Sequence, residues 1–177
     1  MKKISYKRKI LCIILILILA ADIAFIFYNS SENGGSSDSR SDKLTRFIFI
    51  NFCRDYDALS DAEREDAVLK ANSVIRELAH MAEFIPFGFS LSALLFALYL
   101  PEGRKNGKLS LISLLCGALY ALSDEIHQIF VDGRGFQFFD IFMDSCGCTL
   151  GIIISLIIYV IIKKHYQKRR CKRSVLS

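Results

Sequence analysis

The chain has 177 residues, of which 53% are hydrophobic, and it carries a formal net charge of +5. The apolar share exceeds the roughly 45–50% of an ordinary soluble domain, which argues against a water-soluble protein. Basic residues are concentrated in two runs, residues 2–9 and 163–173, and each run adjoins an apolar stretch. This placement is typical of membrane flanks rather than of a nucleic-acid-binding face, because anionic lipid headgroups attract the same residues.

Four apolar runs are long enough to cross a bilayer when each helical residue adds about 1.5 Å. These runs are residues 10–28, 80–100, 109–131 and 138–162. The sequence therefore predicts an all-α integral membrane bundle of about four transmembrane helices. Because a basic segment precedes it, the first run also fits a cleaved signal peptide, and this alternative stays open.

The region between the first two spans has two parts of different composition. Residues 29–43 are rich in Ser, Gly and Asp, which predicts a flexible linker because so little apolar surface cannot offset the entropy of ordering. Residues 44–53 are apolar and aromatic but too short to span, which favours an interfacial or re-entrant helix. Ser60 and Glu63 have the spacing of a capping box, so we expect an amphipathic helix that begins near Ser60 and continues into the second span.

We therefore divide the chain into residues 1–43, a membrane domain of residues 44–162 and a basic tail of residues 163–177. The basic residues near both ends and those in the loop of residues 101–108 fall on one side of a four-span bundle. The positive-inside rule then predicts a multi-pass plasma-membrane protein with both termini in the cytoplasm and residues 29–79 outside. A tight polar turn is predicted at residues 132–135.

Ionisable and amide side chains converge at the predicted outer ends of the last three spans. A charge near the bilayer centre costs at least about 2.5–3.5 kcal/mol, so we expect these groups to share one polar pocket in which opposite charges pair. In particular, Arg134 is expected to pair with Glu125 or Asp140. The candidate pocket residues are Arg76, His80, Glu83, Asp124, Glu125, Gln128, Arg134, Asp140 and Asp144.

One face of the fourth span combines carboxylates with glycines. Asp140, Asp144, Gly147 and Gly151 follow one another in steps of four, three and four, which places them on one helical stripe. Because small residues permit close helix approach, Gly147 and Gly151 are predicted to pack against another helix. Asp22 is an isolated charge in the first span, for which a structural or water-facing role is favoured.

The sequence contains few signs of catalytic chemistry. His80 lies one turn from Glu83 and is either a proton-transfer group or a histidine held by a hydrogen bond. Motifs for a nucleophile or a phosphate-binding loop are missing, and Cys146 and Cys148 lack the further ligands of a zinc site. The sequence therefore predicts no metal and no cofactor, and it leaves open whether the protein is an enzyme.

Two groups of residues carry a recognisable pattern. The first comprises Arg76, Glu77, Leu78, Ala79, His80 and Glu83, and the second comprises Asp124, Glu125, Ile126, His127, Gln128, Gly133, Arg134, Asp140, Gly147 and Gly151. Together the two groups resemble the signature of the VanZ-like family, over residues 44–162. Three positions depart from the family pattern. Phe84 replaces a usual Tyr, Asp132 replaces a common Pro, and Asp144 replaces a usual Asn.

The resemblance implies a small multi-spanning envelope protein linked to glycopeptide resistance, notably to teicoplanin, with no assigned mechanism. The expected partners are membrane lipid and a lipid-linked envelope precursor or glycopeptide, whereas the oligomeric state is left undetermined. An outward polar pocket that binds an amphiphile is the first hypothesis, and a membrane enzyme using Glu125, Glu83 or His80 as acid or base is the second. A proton transporter is disfavoured because the inner halves of the last three spans contain almost no ionisable residue.

Overall fold

The computed structural model describes residues 5–100 and 105–175, and these residues form helices and no strand. Four of the five α-helices are long and apolar enough to cross a membrane. The predicted all-α bundle and its four spans are therefore confirmed, although the first half of the predicted loop at residues 101–108 lies outside the described residues. The helices are α1 (Tyr6–Ser30), α2 (Gly34–Phe52), α3 (Asp61–Tyr99), α4 (Asn106–Gln128) and α5 (Phe138–Val175), with a short 3-10 helix at Tyr56–Ala58.

The start of α3 follows the predicted capping pattern. The Ser60 hydroxyl accepts a hydrogen bond from the backbone N–H of Glu63, and the Glu63 carboxylate accepts one from the Ser60 N–H at 2.9 Å. This helix contains 39 residues, so it is far longer than the roughly 20 residues that one span needs. The first part of α3 therefore extends beyond the membrane, where it packs against α2.

The prediction of a flexible linker at residues 29–43 was wrong, because α1 continues to Ser30 and α2 begins at Gly34, which leaves only residues 31–33 between the two helices. The Asn33 side chain caps this helix by accepting a hydrogen bond from the Ser36 N–H at 2.8 Å. Ser37, Ser41 and Thr45 recur every four residues and are buried, so they form a small-residue face. Small side chains let α2 approach α3 closely, and this pattern outweighs the low apolar content on which the prediction depended.

The bundle is built around the close contact of α3 with α5. A Cβ atom on Gly147 or Gly151 would collide with the backbone carbonyls of Met81 and Ile85 on α3, and one on Gly88 would collide with that of Cys148. Both predicted packing glycines therefore do lie against another helix, as their spacing indicated.

The first span is joined to this pair by polar as well as apolar contacts. The Ser90 hydroxyl on α3 donates a hydrogen bond to the Asp22 carboxylate at 2.7 Å, which gives Asp22 the structural role that was favoured for it. At the next residue of α1, the backbone carbonyl of Ile23 accepts a hydrogen bond from the Tyr120 hydroxyl of α4 at 3.1 Å. Ile26 is buried in the same hydrophobic core as Phe84. The first apolar run is therefore an integral part of the bundle.

Candidate polar pocket

A cavity of about 210 Å³ lies where α2 begins, α4 ends and α5 begins. Five of the nine predicted pocket residues line it, namely Arg76, His80, Gln128, Arg134 and Asp140. The remaining lining residues are Gly34, Ser37, Gly133, Gly135 and Gln137. We call this cavity the polar pocket. The other four predicted residues, Glu83, Asp124, Glu125 and Asp144, are not among its lining residues but lie on the helices around it.

One wall of the polar pocket is the turn between α4 and α5, which docks on the N-terminus of α2. The Arg134 N–H donates to the Val131 carbonyl at 3.1 Å, so the predicted turn at residues 132–135 is confirmed. Gly133 has φ = +74°, a conformation that side chains other than glycine rarely adopt. The Gly34 N–H donates to the Asp132 carbonyl at 3.0 Å, and a Cβ on Gly34 would collide with the Gly133 carbonyl. The first residues of α2 therefore complete the pocket.

The predicted ion pair of Arg134 with Glu125 or Asp140 is not found among the described residues. Its Nη2 atom donates instead to the backbone carbonyl of Asn29, at 3.2 Å. The last carbonyls of a helix have no partner within the helix, so the C-terminal end of α1 is a ready acceptor for the guanidinium. Burial lowers the pKa of the Arg134 guanidinium, and the negative charge of Asp124 opposes this effect.

Arg76 also has a different partner from those expected, because its Nη1 atom contacts the Asp38 carboxylate of α2 at 2.8 Å. Both side chains are partly exposed, so this ion pair contributes at most about 1 kcal/mol. Glu83 forms no ion pair with an arginine among the described residues. Its Oε1 atom accepts a hydrogen bond from the Asn29 amide at 2.9 Å. Asn29 therefore connects α1 with both Glu83 and Arg134.

Asp124 is the centre of a buried hydrogen-bond network between α1 and α4. Its Oδ2 atom accepts hydrogen bonds from the Ser30 hydroxyl and, at 3.1 Å, from the Gln128 amide. The same amide lies 3.3 Å from the Ser30 oxygen, so the three side chains form a closed set. Only 5% of the Asp124 surface is exposed, and each donor in the set would be costly to leave unpaired at this depth.

Glu125 and Asp144 are buried, and each leaves one oxygen without a hydrogen-bond partner among the described residues. The other Glu125 oxygen, Oε2, accepts a hydrogen bond from the Gln137 N–H at 2.8 Å. This bond ties the end of α4 to the residue just before α5. The described residues contain no group of three His, Cys, Asp or Glu side chains arranged to hold a metal ion.

His127 lies next to the pocket residues in sequence but is turned toward α1. Its ring stacks on Phe27 with a centroid distance of 4.7 Å, and its Nε2 atom lies 3.1 Å from the Ser31 oxygen. The histidine that lines the polar pocket is His80. Of His80 and His127, only His80 is thus placed to meet a ligand in the polar pocket.

Five residues in or beside the pocket were not predicted from the sequence, namely Asn29, Ser30, Gly34, Ser37 and Gln137. The first two lie at the end of α1 and the next two at the start of α2, in a segment that was set apart from the membrane domain. The signal that could have found them is the polar pair Asn29 and Ser30, which directly extends the apolar first span. Polar residues at the end of a span are natural partners for the charged ends of neighbouring spans.

The fold and the site define a multi-pass helical membrane protein with a polar pocket at one end of its bundle. A family model described as VanZ/LLP1 matches residues 11–160, and the chain belongs to this family. The match begins within α1, so it includes most of the first span and the first half of α2, which the resemblance over residues 44–162 left out. Neither the search of curated proteins nor the search of solved structures found a match.

Proposed function

We propose that this protein contributes to glycopeptide resistance of the teicoplanin type by holding an envelope lipid or another amphiphile in its polar pocket. The observation that carries the proposal is that Arg76, His80, Arg134 and Asp140, which come from two helices and a turn, line one cavity. The guanidinium groups suit a phosphate or carboxylate, and the aspartate suits hydroxyl or amino groups.

The size of the cavity favours a headgroup over a whole antibiotic. Pockets that enclose drug-sized ligands usually measure about 300–1,000 Å³, whereas the polar pocket measures about 210 Å³. A lipid headgroup fits this limit, with its tail outside the pocket along the apolar helices. In this proposal, resistance arises because the pocket holds and sequesters an envelope lipid. The pocket does not need to enclose the glycopeptide.

The proposal requires the polar pocket to open on the outer face of the plasma membrane, with both termini in the cytoplasm. The positive-inside rule supports this orientation, because Lys7, Arg8 and Lys9 begin α1 and Lys163 and Lys164 lie near the end of the fourth span. We therefore predict that Cys53, which is exposed beyond α2, reacts with a membrane-impermeant maleimide in intact cells. Mass spectrometry of the labelled protein measures this reaction.

The matched control is a Lys168→Cys variant, since residue 168 is exposed on the opposite side of the span. Its introduced thiol should react only after the cells are permeabilised, and Cys53→Ser should abolish the signal from intact cells. Labelling of residue 168 but not of Cys53 in intact cells would reverse the orientation and exclude an outward pocket.

The functional test is the Glu125→Gln substitution, assayed by teicoplanin susceptibility in cells that express the protein. Gln has nearly the same shape and retains an oxygen for the Gln137 N–H, so the change mainly removes a buried acidic group. We expect most of the protection to be lost. Glu65→Gln is the control, because that side chain is 57% exposed and distant from the pocket, and it should protect as the parent does. Full protection by Glu125→Gln at equal membrane abundance would exclude Glu125 as an acid that the activity needs. Full protection by Asp140→Asn, which removes the charge of a carboxylate that lines the pocket, would contradict the proposal.

A membrane-embedded enzyme acting on an envelope lipid is the second candidate function. It is favoured by the buried oxygens of Glu125 and Asp144 that have no hydrogen-bond partner in the described part of the chain, since such a carboxyl oxygen is available for acid or base chemistry. Comparison of lipid extracts with and without the protein distinguishes the candidates. A changed covalent structure of an envelope lipid supports the enzyme, whereas an unchanged lipid profile together with protection supports binding.

A further inference from the structure

A second and larger cavity of about 500 Å³ lies at the opposite end of the bundle from the polar pocket. It is a groove between the first half of α1, the last turns of α3 and the second half of α5. Its walls are almost entirely apolar, with Leu11, Leu15, Phe96 and Ile158 among the lining side chains. We call it the basic-end groove, because it opens where the basic residues of α1 and α5 begin.

Arg8 is the charged residue that lines this groove, and its position is fixed by α3. Its Nε atom donates to the Ala97 carbonyl at 2.6 Å, and its Nη2 atom donates to the Leu98 carbonyl. A guanidinium has five N–H donors, so these two bonds leave further donors for a ligand. Lys163 provides a second cation near the groove, because its Nζ lies 5.8 Å from the ring centroid of the lining residue Tyr159.

We propose that the basic-end groove binds an acyl chain of an anionic phospholipid, whose phosphate contacts the guanidinium of Arg8. Apolar walls suit the chain, and the cations suit a headgroup with a net negative charge, which a zwitterionic lipid lacks. A second copy of the protein is a poorer occupant, because it would bring the basic ends of α1 and α5 close to those of another chain. The proposal concerns a different end of the bundle from the polar pocket, so it does not depend on the proposed function.

The test is native mass spectrometry of the full chain purified in detergent and supplied with equal amounts of phosphatidylglycerol and phosphatidylcholine. The parent protein should retain more phosphatidylglycerol than phosphatidylcholine. Arg8→Gln should reduce this preference about fivefold, since one basic side chain near a membrane surface contributes about 1 kcal/mol to the binding of anionic lipid. Lys168→Gln is the control for charge, because it lies beyond the groove on an exposed turn of α5, and it should leave the preference unchanged.

Arg8→Gln also removes two hydrogen bonds to the end of α3, so a second variant is needed that leaves the charge intact. Ala93→Phe fills the groove from its α3 wall and should abolish lipid retention there while circular dichroism shows an intact helical fold. Equal retention of the two lipids by the parent would overturn the proposal. Retention by Ala93→Phe equal to that of the parent would overturn it as well, and a lipid-free dimer would identify the occupant as a second copy.

Discussion

Replacing Gly151 with leucine is expected to destabilise the protein, at the upper end of the range of about 1–3 kcal/mol that is typical of overpacked cores. A Cβ at this position would meet the Ile85 carbonyl and would lie 2.6 Å from the Phe89 backbone nitrogen. These are backbone atoms of α3, so they cannot move aside as a flexible side chain would. We therefore expect α5 to separate from α3, with a lower midpoint of thermal unfolding measured by circular dichroism in detergent.

Gly107 supplies the matched control, because it is also a helical glycine and a Cβ there would have nothing within 4 Å. Gly107→Leu should leave the midpoint unchanged or raise it, since leucine is the better helix former by under about 1 kcal/mol. Equal midpoints for Gly151→Leu and the parent would show that the contact of α3 with α5 can open without penalty. That result would contradict the close packing on which the geometry of the pocket depends.

Features of the fold that depend on local sequence could be predicted well. The four spans follow from the length of their apolar runs, and the start of α3 follows from the spacing of Ser60 and Glu63. The packing of Gly147 and Gly151 follows from helical periodicity, because close approach leaves a signature of small residues on one face. Each of these inferences needs only residues that are near one another in the chain.

The partners of the charged residues could not be predicted in the same way. Arg134 contacts the end of α1, which is 105 residues away, and Arg76 contacts Asp38 on a helix that composition alone classed as a linker. Periodicity shows which side chains share a face, but it does not show which other helix that face meets. The pocket residues could therefore be selected from the sequence, whereas their pairing depended on the placement of α1 and α2.

The Asp124→Ala substitution should lower stability by about 2–6 kcal/mol, because it removes the acceptor of two buried donors at about 1–3 kcal/mol each. These donors are the Ser30 hydroxyl and the Gln128 amide. Asp124→Asn keeps one oxygen in place, so it should have a smaller effect than alanine. The midpoint and slope of denaturant unfolding in detergent, followed by circular dichroism, measure these differences.

Asp66→Ala is the control for the loss of a carboxylate, since the Asp66 side chain is 63% exposed and forms a surface ion pair with an exposed lysine. It should cost less than about 1 kcal/mol. The two variants also test the wall of the polar pocket. Ser30 directly follows Asn29, whose carbonyl accepts the hydrogen bond of Arg134. If Asp124→Ala proves as stable as Asp66→Ala, the hydrogen-bond network does not hold α1 against α4. The end of α1 that Arg134 contacts must then be fixed by the apolar contacts of α1 alone.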